Sequence, residues 1–365
     1  MLKRGMRAAA ATVAAALLLA SCALAAPEVS AVHAVLLDAD SGRVLYEKNA
    51  EERALIASTT KIMTALLVCE QCNLADRVRI PKAAVGIEGS SIYLREGEIL
   101  TVQDLLYGMM LHSGNDAAMA LAIYCGGTEG DFVALMNDKA GLLGLSQTHF
   151  ANPNGLDNDG NFSTALDLAR LAAYAMKNSD FRCTVSCKTV TIGSRSLRNH
   201  NKLLFRYEGA IGVKTGYTKA AGRILVSAAE RSGRQLIAVT INAPDDWNDH
   251  TALLDYGFSC YQTTHLVEKG QHLGSVSVVG GTAQTVGIAA AESFSFPMAD
   301  TETCFVDFQV PEFLYAPVTA GQDAGTASIR VGETSVGTIP LYFETSVAQS
   351  GAKKSLFGRI FGGSD

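Results

Sequence analysis

The feature that constrains this fold most is an order of patterns: two strand-like runs near the start, a long helical block, then three further strand-like runs. Residues 34–38 and 43–46 are mostly apolar, strand-like runs, and Asp40, Ser41 and Gly42 supply the turn that makes them a hairpin. Apolar residues then recur at helical spacing over 59–69, 105–124, 132–143 and 165–177. Strand character returns at 210–213, 224–228 and 235–241, the last two separated by a short turn at Gly233. A sequential βαβ array would alternate strands with helices. Strands flanking a helical block predict instead an α/β (α+β) sandwich whose early and late strands share one sheet.

A chain of 365 residues exceeds what one core usually organises, so a second domain is expected. The change comes after Tyr261, where short Val-, Ile- and Thr-rich runs at 274–279, 303–310, 327–331 and 335–342 alternate with turns, the pattern of a small all-β domain. No catalytic cluster falls within it. At the other end Lys3, Arg4 and Arg7 precede an apolar run from 8 to 20, too short to span a bilayer and right for a signal peptide. Two processing readings compete there. Ala23 and Ala25 suit ordinary cleavage, whereas residues 19–22 resemble a lipoprotein box that would acylate Cys22. Both place the mature protein outside the cytoplasm, in the cell envelope. The expected layout is a signal peptide over 1–26, an α/β domain over 27–262, a β domain over 263–346 and a tail over 347–365. In the tail, Lys353, Lys354 and Arg359 accompany Leu356, Phe357, Ile360 and Phe361, spaced for a short amphipathic helix that could rest on a membrane surface. A frayed terminus is the plainer alternative.

Composition excludes some partners. A formal net charge of −6 gives no general attraction to phosphates, so nucleic acid is not expected as a partner. Seven cysteines follow Cys22, too few and too scattered to frame the fold. Cys69 and Cys72 form a CxxC, but a zinc site usually needs a second tight knuckle or spaced histidines, and Cys69 falls where an apolar helix face ends. Neither a metal nor a cofactor is expected.

Three polar clusters interrupt these patterns. Ser58 and Lys61 are three apart at the start of the apolar run 62–67, so on a helix they share a face, with the hydroxyl at the positive end of the dipole. By itself the spacing means little: average composition yields about one Ser-x-x-Lys by chance in such a chain, and Ser350 and Lys353 repeat it in the tail. An N-cap serine beside a solvated lysine is the plain alternative. Ser113 and Asn115 lie between two apolar runs, where polar side chains must bond each other or face a cleft, unless they only break the helix. His112 and Asp116 beside them do not make a Ser-His-Asp triad, because chain neighbours point to different sides and no Gly-x-Ser-x-Gly elbow occurs. Lys214, Thr215 and Gly216 follow a strand-like run. This tripeptide arises by chance in about one such chain in ten. Gly216 leaves room for a peptide backbone, and Lys214 and Thr215 offer charge and a hydroxyl to a carboxylate.

The three elements in this order resemble the penicillin-recognising serine enzymes. Residues 38–46, 152–156 and 253–258 extend the resemblance to the D-alanyl-D-alanine carboxypeptidases among low-molecular-mass penicillin-binding proteins, over about residues 31–261 and with a similar β domain behind. The resemblance implies the sandwich fold shared with serine β-lactamases. It implies that Ser58 attacks the bond between two D-alanines of a peptidoglycan stem peptide, that Lys61 is the general base and that Ser113 relays protons to the leaving amine. Asn115 would hold the peptide or the lysine, Lys214 and Thr215 would bind the terminal carboxylate beside Gly216, and backbone amides of Ser58 and Tyr217 would form the oxyanion hole. β-Lactam antibiotics would acylate the same serine. One departure is evident: some relatives place an arginine where this chain reads Asp245, Asp246, Trp247, Asn248 and Asp249, leaving His200 and Arg223 as unselected alternatives. A β-lactamase, a transpeptidase, or a non-catalytic wall-binding or antibiotic-sensing protein of the same fold are the competing readings.

Overall fold

The early and late strands do pair in one antiparallel sheet. In the computed structural model, which describes residues 25–351, His33–Asp38 (β1) and Val44–Lys48 (β2) form the opening hairpin, and Ala210–Thr218 (β3), Gly222–Arg231 (β4) and Arg234–Ile241 (β5) return to it. The strand order is β2-β1-β5-β4-β3, with β1 paired to β5 from His33 opposite Ile241 to Asp38 opposite Leu236. The sandwich read from the sequence is therefore the observed fold of this part. The signal-peptide pattern, Cys22 and the amphipathic tail pattern lie outside the described residues.

Both faces of the sheet are covered, and strand alternation divides the work. Val35, Leu37, Val226, Ile237 and Val239 face the helical block. Ala34, Leu36, Leu236 and Ala238 face the opposite way, packing with Leu253 and Leu254 of the long helix Asp246–Cys260 (α8). The helical block comprises Lys61–Gln71 (α1), Val102–Leu111 (α2), Asn115–Gly126 (α3), Glu129–Leu142 (α4), Ala165–Ala175 (α5) and Ser179–Ser186 (α6); a single turn, Leu203–Arg206 (α7), precedes β3. Residues 61–68 of α1 are all buried, so this helix runs through the middle of the block and carries a lysine at its enclosed end. Thr101, Thr128, Thr164 and Asn178 cap the helices that follow, each accepting a backbone N–H of the first turn.

Two boundaries differ from the sequence pattern in ways that matter for function. The helical periodicity over 105–124 is broken at 112–114, where Ser113 takes a left-handed φ of +63° and a new helix starts at Asn115. Likewise Lys214, Thr215 and Gly216 do not follow a strand but lie inside one, since β3 continues to Thr218 on the edge of the sheet. Another motif proves to be a brace. Buried Asp38 accepts from Ser41 Oγ at 2.7 Å and from Arg234 Nε at 2.7 Å, and Arg234 Nη1 also ties the carbonyls of Gly257 and Tyr261 to the hairpin.

The chain divides into two compact units, the second beginning at Gln262. That unit is all β: a six-stranded sheet runs in the order Cys304–Gln309, Asp323–Val331, Thr334–Phe343, Thr285–Ala290, His272–Val279 and Phe313–Tyr315. A separate pair joins Tyr261–Val267 to Phe294–Ala299. Val276, Ile288, Ile329, Ile339, Leu341 and Phe343 form its own core. Among the described residues no helix is long and apolar enough to cross a membrane.

Candidate active site

Ser58 sits in a single 3-10 turn, Ala57–Thr60, that runs directly into α1. The turn is held in an unusual shape. Ala57 has φ +43°, and its carbonyl packs on Gly155 so closely that a Cβ there would lie 1.9 Å from the oxygen. Only glycine fits, both for space and for its own φ of +83°. The same loop braces the start of α1: Thr64 Oγ1 donates to the carbonyl of Pro153 at 2.7 Å, and Asn161 Nδ2 donates to Thr60 Oγ1 at 3.0 Å.

Lys61 is fully buried, and its Nζ has three partners. It lies 2.9 Å from Ser58 Oγ, donates to Asn115 Oδ1 at 2.7 Å, and donates to the backbone carbonyl of Asn154. Asn115 is fixed in turn, its Nδ2 donating to the carbonyl of Glu88 at 2.6 Å. Asp116, buried next to it, is committed elsewhere: its carboxylate accepts from Ser91 Oγ and from the backbone N–H of Ile92 and Leu94, holding the 91–94 loop in place. That commitment separates Asp116 from any triad with His112.

Gly216 brings the sheet edge to the serine. A Cβ at this position would lie 3.3 Å from the Ser58 amide nitrogen and 3.4 Å from Ala57 Cβ, so a larger residue would push β3 away from the turn. Lys214, 1 % exposed, enters the same region, and its Nζ donates to the carbonyl of Thr215 at 2.8 Å. Neither lysine is ion-paired among the described residues. Burial in a low-dielectric site disfavours the ammonium form of each. Lys214 is brought down to about 7 by burial. Lys61 is lowered well below the ordinary lysine range by burial and then by the Lys214 charge, with Asp116 pulling weakly the other way.

A cleft of ≈ 820 Å³ opens over Ser58, with Ser113, Thr215, Gly216 and Tyr217 in its lining. Its other walls carry Arg198, Lys202, Arg206 and Arg223, with Asp246 the one acid, so the cleft favours an anionic ligand. Arg223 stands opposite Tyr217 in the β3–β4 register, and its Nη2 alone holds both Asp246 oxygens, at 2.9 and 3.0 Å. His200 packs on His112 with ring centroids 4.8 Å apart, and burial, Lys214 and His112 bring it down to about 4, which keeps it uncharged near neutrality.

The structure thus brings together Ser58, Lys61, Asn115, Lys214 and Gly216 around one point, with Ser113, Thr215 and Tyr217 on the cleft wall. It adds the Asn154 carbonyl and Arg198, which the sequence did not single out, and it pairs Arg223, one of the two alternatives left open by the sequence, with Asp246. Among the described residues no three His, Cys, Asp or Glu side chains converge as a metal-ligand set.

The family model described as D-alanyl-D-alanine carboxypeptidase matches residues 20–245, and that of the penicillin-binding protein 5 C-terminal domain matches residues 261–349. The D-alanyl-D-alanine carboxypeptidase DacF of Bacillus subtilis is 35% identical over 313 residues, covering 81% of this chain and 80% of that protein. The crystal structure of penicillin binding protein 5 from Haemophilus influenzae superimposes with a TM-score of 0.76 at 28% identity, covering 89% of this chain and 100% of that one. The Streptomyces K15 DD-transpeptidase does so with a TM-score of 0.62 at 40% identity, covering 64% and 99%. With the catalytic model spanning more than half of its length and the second model covering the β unit, this chain belongs to the D-alanyl-D-alanine carboxypeptidase family.

Proposed function

We propose that Ser58 is the nucleophile of this D-alanyl-D-alanine carboxypeptidase and that Lys61, acting as a neutral amine, is its general base. The contacts of Lys61 Nζ carry this reading. The Asn115 Oδ1 and Asn154 carbonyl oxygens can only accept, so they take two N–H groups. A neutral amine then has one lone pair left, and the remaining neighbour, the Ser58 hydroxyl at 2.9 Å, is the only one able to donate to it. Burial and the Lys214 charge supply the neutral form.

Attack of Ser58 Oγ on the carbonyl between two D-alanines passes the hydroxyl proton to Lys61. The tetrahedral oxyanion is met by the backbone N–H groups of Ser58 and Tyr217, brought near one another by the close approach at Gly216. Ser113 hands the proton on to the departing D-alanine amine, and water releases the acyl group in a second step. The terminal carboxylate binds Lys214 and Thr215. Its arrival favours protonated Lys214, which burial alone holds at about 7. Arg223 joins them, because its Nε and Nη1 make no hydrogen bond within the protein among the described residues and its side chain is 45% exposed in the cleft. It stands in for the arginine missing from the 245–249 stretch.

A transpeptidase differs only in the acceptor of the acyl group. The 40% identity to the Streptomyces K15 DD-transpeptidase makes it the second reading. A β-lactamase would need an added acid to activate water; Glu88 offers Asn115 its backbone carbonyl, not its carboxylate. We read the chain as exported from the basic and apolar pattern of residues 3–20, and the basic amphipathic pattern beyond residue 351 supports contact with a membrane surface. The test is D-alanine release from a synthetic peptide ending in D-Ala-D-Ala, wild type against Ser58→Ala. Release by the wild type alone is expected; no release by either protein, with labelled penicillin still trapped on Ser58, would favour the transpeptidase or a sensor.

A further inference from the structure

The cleft over Ser58 carries more positive charge than one terminal carboxylate can use. On its wall, Arg198 ends the strand Arg195–Arg198, Lys202 immediately precedes α7 and Arg206 is the last residue of that turn. All three are exposed, and none of their side chains has an ion pair or a hydrogen bond among the described residues. Two of them are held by aromatic rings instead. The Arg198 guanidinium lies 4.4 Å from the centre of the Phe205 ring, and Lys202 Nζ lies 5.6 Å from that of Trp247, both rings also lining the cleft. A ring face orients a cation without neutralising it. Asp246, the one acid on the wall, is already gripped through both oxygens by Arg223, and even the buried Trp247 Nε1 finds no acceptor. Four cations against one acid leave three charges, and a terminal carboxylate takes only one of them. The chain as a whole has a net charge of −6, so this surplus is local to the cleft.

We propose that Arg198, Lys202 and Arg206 form a second anion subsite, which binds a carboxylate that the departing group carries in addition to its terminal one. The proposal rests on the reading above, in which Lys214, Thr215 and Arg223 take the terminal carboxylate. Trp247 directly follows Asp246, the partner of Arg223, and Lys202 stands over Trp247. The wall therefore continues from Arg223, on the side of the departing residue and not of the acyl group. The substrate class is a D-alanyl peptide whose departing residue is a diacid. The chemistry is unchanged: the bond from the D-alanine carbonyl to the departing nitrogen breaks, Ser58 Oγ takes the acyl group, and the serine proton leaves on the amine. The second carboxylate adds binding alone. Exposed cations each contribute little and are screened by salt, so the subsite should give a modest preference that salt removes.

The experiment uses the full chain carrying Ser58→Ala, which binds without turnover, and two dye-labelled peptides identical except that one ends in D-Ala-D-Glu and the other in D-Ala-D-Gln. Fluorescence anisotropy at low salt should show the acidic peptide binding about 3–30-fold more tightly. Adding Lys202→Ala and Arg206→Ala together should bring that preference below about twofold, as should about 1 M salt with the wall intact. Lys202→Arg with Arg206→Lys, which keeps both charges, should retain it. Equal affinity for the two peptides with the wall intact, a preference that survives the paired alanines, equal losses on both peptides, or no measurable binding of the acidic peptide would each overturn the proposal. Release of D-Glu and D-Gln by the chain with Ser58 intact separates the two ideas: a charge preference in binding without release refutes the catalytic reading alone, and release without a charge preference refutes the subsite alone.

Discussion

If Arg223 joins Lys214 and Thr215 in receiving the substrate carboxylate, Arg223→Ala should weaken the preference for a free terminal acid without harming the chemistry on a neutral analogue. The magnitude follows from the geometry. Nη2 is committed to Asp246, which leaves Nε and Nη1 for one charge-assisted contact. The side chain is 45% exposed, so solvent screens part of the attraction, and the contact should contribute about 1.5–3 kcal/mol. That corresponds to a fall of about 10–150-fold in kcat/KM for a peptide ending in D-Ala-D-Ala. The same peptide with its terminal carboxylate amidated should change by no more than about threefold. Truncation also strands Asp246, whose side chain is only 4% exposed, and local rearrangement could then mimic loss of a contact. Arg223→Ala combined with Asp246→Asn removes that stranded charge and should show the same collapse of the acid-to-amide ratio. An acid-to-amide ratio equal to that of wild type in both variants would refute the assignment and leave Lys214 and Thr215 sufficient. Equal losses on acid and amide would show that Arg223 only supports the wall.

Three further outcomes follow from the site and its supports. Lys61→Ala should lower the rate of acylation by labelled penicillin by about 10²–10⁴-fold with little change in Tm, because it removes a base and leaves the apolar packing of α1 in place; normal acylation would exclude Lys61 as the base. Gly155→Ala would put a methyl into the Ala57 carbonyl at a left-handed φ, so urea unfolding should show a loss of about 2 kcal/mol or more together with loss of acylation; a neutral effect would mean that the turn before Ser58 is not held from below. His250 is fully buried between Ser227 Oγ and Thr240 Oγ1, at 2.5 and 2.9 Å, and burial brings it down to about 3. Below about 6.5 the unfolded chain therefore takes up a proton that the folded chain refuses, and stability falls toward pH 3 by up to about 1.4 kcal/mol per pH unit. His250→Gln should flatten that slope in urea titrations, and an identical slope would refute it.

What could be read in advance was what the side chains themselves encode. The strand, helix and strand order was legible because hydrophobic periodicity is local, and once β1 and β5 were recognised as strands their apolar runs left few alternatives to a shared sheet. Helical periodicity ran on through 112–114 because a three-residue break barely disturbs an apolar repeat, so the polar Ser113 and Asn115 marked an interruption there without choosing between a cleft and a helix break, and the left-handed φ of Ser113 could not be read. Lys214 to Gly216 interrupted the strand pattern for a related reason: neither lysine nor glycine favours a strand, and the edge position in β3 is conferred by β4. The strongest case is Lys61. Its identity as a candidate base came from a serine three residues before it, but its readiness to act as one comes from burial, from the Lys214 charge and from a backbone carbonyl at Asn154. Every residue owns such a carbonyl, so no substitution pattern at position 154 would announce it. What fixes that loop is Gly155, whose missing Cβ lets Ala57 approach and sets Ser58 and Lys61 in register. A chain could therefore keep all three polar motifs and still lose the activity through a single methyl group at a glycine that belongs to none of them.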